Sequence, residues 1–384
     1  SFQPQRAIPD FQQAVREDST FALALSKLAL ATQWSASPHT LFRLPDDPLD
    51  RAHRFSAHLG QREQQMIEGM WQAEHRWTEA LGTFQRLTSD HPDDALAWFL
   101  YGDALFHLAG AAQVAGDGAR TALQRSVTLD PGFGPAYLHL VEDAFDRGDS
   151  AEASNYVNAL WAIDSSAPRA IGLGIARDVV WGGDRLRQAA LQRLDTALDE
   201  AALPAKHAMN LTMDVGDRTL AIIERITRNP LNSNDTKASA YSGAMYVYAG
   251  QGRLDLARQT ERRWQQILGI PEEYIVADLA DVEIMWYLFG TGDSAAAAAA
   301  MARLNSLPDS VYLNVSVDAG WLAIRWGDRP ALRRAYRVLE GWLANAKLAG
   351  DTARVRGAQL ELQLLHAREA NATSSWQSMP ALVR

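Results

Sequence analysis

Residues 90–105 read Asp-His-Pro-Asp-Asp-Ala-Leu-Ala-Trp-Phe-Leu-Tyr-Gly-Asp-Ala-Leu, and residues 129–140, one helical hairpin later, read Leu-Asp-Pro-Gly-Phe-Gly-Pro-Ala-Tyr-Leu-His-Leu. The joint returns a third time at residues 162–168, Ala-Ile-Asp-Ser-Ser-Ala-Pro. Each unit reads as helix, Gly/Asp turn, helix and Pro-containing turn. A hairpin of this size cannot bury its apolar face alone, so recurrence predicts an all-α stack in which each copy covers its neighbour.

The regular part spans residues 61–167. Ile67 and Trp71 mark the first helix of one hairpin, with a turn near His75 and Arg76, and Ala80, Phe84 and Leu87 mark its second. Small residues belong where two helices cross and large ones in the pockets between, so Ala80 is expected beside Trp71. The next hairpin carries Trp98, Tyr101, Gly102 and Leu105, with about five extra residues around 111–118. The third carries Tyr137, Leu140, Ala144, Ala153, Val157 and Leu160. Beyond Pro168 the motif fades and a rhythm of glycines remains, at Gly148, Gly183, Gly216, Gly252, Gly292 and Gly327, spaced 35, 33, 36, 40 and 35 residues apart. A glycine supplies positive φ between antiparallel helices, and the following Asp caps the next one.

Before the repeats, a helix over 7–15 precedes one over 20–34 with Phe21, Leu25, Leu28 and Ala31 on one face. Three prolines make 35–48 a loop, and a helix resumes over 49–59. After them, helix pairs are expected over 275–289 with 294–305 and 311–326 with 329–345, then a capping helix over 352–369 and an extended tail over 370–384.

These joints and the Trp/Tyr-Gly-Leu offsets resemble the tetratricopeptide (TPR) repeat. The order across residues 10–165 is similar to the TPR regions found C-terminal to bacterial serine/threonine kinases and in some transcription regulators. The resemblance implies a right-handed α-solenoid of about nine hairpins, whose first helices line a concave groove for peptides or protein helices. The expected divisions are 1–60, N-terminal helices with a Pro-rich loop; 61–167, regular repeats; 168–369, divergent repeats and cap; and 370–384, tail. No kinase signature is present in the sequence.

Hydrophobic residues at 47% and charged residues at 22% fit a folded chain. With no cysteine there is no disulfide, thiolate metal site or Cys nucleophile, and the absence of thiols suits a periplasmic or extracytoplasmic setting better than a cytoplasmic one. No uncharged apolar run approaches the roughly 18 residues needed to span a bilayer. The opening Ser1-Phe2-Gln3-Pro4 reads as a processed product or an excised segment. Residues 1–300 hold 26 Lys+Arg against 39 Asp+Glu, and residues 301–384 hold 11 against 7. The acidic body argues against nucleic acid, whose recognition relies on phosphate neutralisation.

No local pattern carries catalysis or a cofactor. His53, His58 and His75 lack a metal-binding spacing, and Gly172-Leu-Gly174 lacks the third glycine and strand of a dinucleotide loop. Asp93 and Asp94 fit a helix start, and the alanines of 295–300 make a thin helix. No cofactor, no metal and no small-molecule substrate is therefore expected. Arg325, Arg329, Arg333, Arg334 and Arg337 crowd one segment, and 329, 333 and 337 form a ridge on one helix face. The ridge reads either as a solvated surface or as a dock for an acidic peptide, phosphate or anionic lipid. Trp34, Trp77, Trp181 and Trp376 fall at helix ends or turns, where an exposed Trp can anchor a partner. The expected function is a non-catalytic protein-interaction scaffold. Its alternatives are a peripheral subunit of a membrane-attached complex and a ligand-sensing region of a larger regulatory protein.

Overall fold

The computed structural model describes residues 4–35, 47–74, 78–112, 117–210, 216–269, 280, 283 and 293–376. The chain divides into two compact units, Ser1–Thr236 and Lys237–Arg384.

The first unit runs α1 (Pro4–Glu17), α2 (Ala22–Ser35), α3 (Pro48–Arg54), a short 3-10 turn (Ser56–His58), α4 (Gln61–Glu74), α5 (Glu79–Asp90), α6 (Ala95–Ala112), α7 (Gly118–Leu129), α8 (Gly134–Asp146), α9 (Ser150–Asp164), α10 (Pro168–Trp181), α11 (Asp184–Leu194), α12 (Asp199–Asn210) and α13 (Gly216–Arg228). All elements among the described residues are helical. From α1 to α11 each helix packs on the next, and first helices also meet across hairpins, α4 on α6, α6 on α8 and α10 on α12. This is an all-α solenoid of TPR-like hairpins, as the repeat implied.

Small residues set how closely the hairpins shut. A Cβ on Gly102 of α6 would lie 2.7 Å from Leu123 Cγ of α7, and one on Gly69 of α4 would strike the Phe84 ring of α5. In the third hairpin Tyr137, Leu140, Ala144, Ala153, Val157 and Leu160 are all buried, as their offsets predict. The two glycines that suggest a nucleotide loop lie instead inside α10. Gly172 meets the Ala201 carbonyl of α12, and Gly174 meets the Trp161 ring of α9.

The turns at Gly148, Gly252 and Gly327 follow the glycine reading, whereas Gly216 opens α13 itself with Asp217 in its first turn. Gly148, Gly252, Gly327 and Gly350 have φ of 68°, 75°, 68° and 66°. Asp149, Asp293, Asp328 and Asp351 accept from the amides of Glu152, Ala296, Ala331 and Arg354. Gly183 departs, at φ −64° with ψ 168°. There the close approach is made by Gly182, whose Cβ would strike the Asp178 carbonyl.

Other expectations shift. Leu25, Leu28 and Ala31 are buried, but Phe21 precedes α2 and stays 43% exposed. The segment over 49–59 breaks after Arg54. Trp71, expected at the crossing with Ala80, stacks on His53 at 4.2 Å and donates to Asp50 at 2.7 Å, and it is Gly69 that faces Phe84 of α5. The loop over 36–46, the turn at 75–77 and most of 270–292 lie outside the described residues.

From the second unit onward come α14 (Asn234–Gly250), α15 (Leu254–Leu268), α16 (Ser294–Asn305), the single turn α17 (Asp309–Tyr312), α18 (Ser316–Trp326), α19 (Arg329–Leu348) and α20 (Thr352–Trp376). Met245, Ala249 and Ala257 join α14 to α15. Tyr312, Leu322, Leu332, Leu339 and Leu365 anchor the core of α16–α20, with the thin alanine side of α16 contributing Ala300. Helix α20 runs on to Trp376, past the expected end at residue 369, since no Gly or Pro interrupts residues 358–379. Among the described residues no helix is long and apolar enough to cross a membrane.

Candidate functional site

Four first helices of the first unit, α6, α8, α10 and α12, bring polar side chains to one place. At its centre is His139 of α8. Its Nε2 lies 2.8 Å from Asp103 Oδ1 on α6, and its Nδ1 lies 2.9 Å from Glu142 Oε2 one turn further along α8. Both partners are acceptors, so the doubly protonated imidazole donates to each. Burial opposes that charge, but the two carboxylate bonds outweigh it and push His139 up to about 10. Burial likewise raises Asp103 and Glu142, and the imidazolium hydrogen bond wins in both, holding each below its ordinary value.

Further groups extend the cluster. His107, one turn after Asp103 on α6, is exposed, with Nε2 at 3.7 Å from Asp103 Oδ1. His207 of α12 approaches Glu142 Oε1 at 3.7 Å. Burial lowers the Arg169 guanidinium of α10, partly offset by Glu142, and lowers Lys206 of α12 to about 8. Aromatic rings wall the imidazole. Phe106 lies 4.6 Å from it and Phe99 6.4 Å, centroid to centroid. Beside them opens a cleft of about 180 Å³, bordered by Gln33 of α2, Phe99, Leu138 and Arg169 as well as by Asp103, His107, His139 and Glu142. Among the described residues, Asp103, His107 and His139 form the one group whose donor atoms lie close enough to hold a metal ion.

The residues singled out from sequence lie elsewhere. Arg329 pairs with Glu369 at 3.1 Å, while Arg333 and Arg337 are exposed on α19. Arg334 turns inward. It covers the Tyr312 ring at 4.1 Å, pairs with Asp309 at 2.8 Å and donates to the carbonyls of Asn305 and Leu307. The side chains of Arg325, Trp34 and Trp376 and all of Trp77 lie outside the described structure. Trp181 is half-buried, its ring 4.6 Å from Phe145. His53 is taken up by Trp71 and Glu68.

No family model matches the chain, and no curated protein matches it. Among solved structures it is similar to a monomeric mutant of IFIT1 with Gppp-AAAA, at 14% identity and TM-score 0.42 over 95% of this chain and 87% of that one. The human IFIT1 dimer with PPP-AAAA gives 16% identity and TM-score 0.41 over 94% and 87%. The TPR domain of P58(IPK) gives 11% identity and TM-score 0.24 over 80% and 99%. The exclusion of nucleic acid is corrected by the first two, which were solved with Gppp-AAAA and PPP-AAAA. A whole-chain charge sum does not describe the potential inside one groove.

Proposed function

We propose that the chain is a non-catalytic interaction scaffold whose partner segment lies along the first helices of the first unit. The observation that carries this reading is the cleft at His139. Side chains of α6, α8 and α10 that do not fill the core converge there beside Phe99 and Leu138. Its roughly 180 Å³ falls below the low end, about 300 Å³, of pockets that enclose a small molecule. A site of that size takes one side chain of a longer ligand, and the rest of a peptide or helix lies along the groove.

The second reading places the partner on α19, where Arg333 and Arg337 are exposed four residues apart. An acidic segment, as in a subunit of a larger, membrane-attached assembly, suits that ridge. A pull-down from native cells with three baits separates the two. His107→Glu with Arg169→Glu loses the partner if the groove holds it, and Arg333→Glu with Arg337→Glu leaves it bound. The reverse pattern moves the site to α19. Retention by both variants removes both surfaces, and substrate turnover by the lone protein removes the scaffold.

A further inference from the structure

We propose that Asp103, His107 and His139 form a divalent transition-metal site of the kind zinc occupies, with one coordination position open to the cleft. The three donor atoms, Asp103 Oδ1 and the Nε2 atoms of His107 and His139, come from two helices of successive hairpins and lie within 4.8 Å of one another. Tetrahedral zinc binds nitrogen and oxygen at about 2.0–2.2 Å, which places its ligand atoms roughly 3.3–3.6 Å apart. The Asp103–His139 separation of 2.8 Å must open by about half an ångström to admit the ion, which displaces the Nε2 proton of His139 to solvent. The Asp103–His107 separation of 3.7 Å is too long for a hydrogen bond and close to the edge of such a tetrahedron.

The surroundings fit a ligand set. Glu142 holds Nδ1 of His139 at 2.9 Å, so the ring presents Nε2 to the site. A carboxylate on the far nitrogen of a ligating imidazole fixes the ring and raises its basicity. Phe99 and Phe106 pack beside the ring, and α6 is held against α8 by their own packing. Two imidazoles and one carboxylate suit zinc better than calcium or magnesium, which take oxygen sets. The fourth position faces the cleft, where water or a carboxylate or imidazole of a bound segment completes the set. The ion would also pin two hairpins together.

The test uses the full chain, stripped with chelator and dialysed against Zn²⁺, with bound metal measured by mass spectrometry and affinity by calorimetry. One zinc per chain is expected. His107 is exposed, so His107→Ala is expected to fold normally and to lose stoichiometric uptake, while Glu142→Gln weakens binding about 10- to 100-fold. His58→Ala, at an exposed position in the 3-10 turn, keeps full uptake. Co²⁺ in place of zinc gives the intense visible bands of a four-coordinate site in the wild type and none in His107→Ala. The proposal falls if the wild type takes up no stoichiometric zinc, or if His107→Ala, folded by circular dichroism, binds it as the wild type does. Neither result bears on whether a protein partner occupies the groove.

Discussion

His139 and Asp103 sit 36 residues apart in sequence and 2.8 Å apart in space, so a single imidazole joins the first helices of two successive hairpins. The bond is an ion pair, with Glu142 as its second carboxylate. Its charges are largely screened from water, and losing one member strands the others.

That pair gives a pH signature in the metal-free chain. The folded pKa of His139, about 10, lies above its ordinary 6.5, so the stabilisation is complete below pH 6.5 and is lost as pH rises towards 10. Asp103 and Glu142 are lowered from 3.8 and 4.5, so their share is present above those values and lost as pH falls through the lowered ones. The urea-unfolding difference between wild type and His139→Gln is therefore largest near pH 5–6, at about 3 kcal/mol, and shrinks towards pH 10. A flat difference across that range would remove the ion pair. Taking the difference also cancels the opposite trend of Lys206, whose lowered pKa of about 8 favours the folded state as pH rises.

Gly172→Ala tests the approach of α10 to α12. Its Cβ meets the Ala201 carbonyl, which cannot rotate away, so α10 and α12 must separate. A loss of about 2–3 kcal/mol is expected in chemical denaturation. Gly183→Ala is the control, with open space around the added methyl and φ at −64°, and is expected within about 0.5 kcal/mol of wild type.

Arg334 and Arg333 are neighbours in sequence with different work. Arg334→Ala uncovers Tyr312 and leaves the carbonyls of Asn305 and Leu307 without this donor. It should lower stability by about 2–4 kcal/mol. Arg333→Ala, on the exposed face, should change it by less than about 0.5 kcal/mol. Equal effects would contradict the inward placement of Arg334.

Asp149→Ala removes the side chain that accepts from Ala151 and Glu152 at the start of α9. A cap of this kind contributes about 1 kcal/mol, and Asp149→Asn should restore most of it. Hydrogen exchange in the first turn of α9 would read the loss locally.

Several helices were legible because Gly and Asp punctuate their turns with a backbone requirement that sequence states openly, as at Gly148-Asp149 and Gly327-Asp328. The partner of Trp71 was not, since the ring turns to a residue of the preceding helix, His53. The polar cluster escaped for a related reason. Only a spacing within one helix is visible in a sequence, whereas the Asp103 partner of His139 lies one repeat away. A signal did exist. Asp103 and Glu142 each stand five residues after the aromatic that opens their hairpin, Trp98 and Tyr137, and equal offsets in stacked first helices face the same groove.

Helix α8 touches α7 and α9 on either side and also reaches α6 and α12. The last contact closes a circuit, α8 to α9 to α10 to α12 and back to α8, which adjoins the smaller circuit α6 to α7 to α8. A path can fray link by link from its ends. A cycle resists piecemeal opening, because freeing any one member breaks two bonds of the circuit at once. The helix carrying His139 and Glu142 is therefore held from α6, α7, α9 and α12 together.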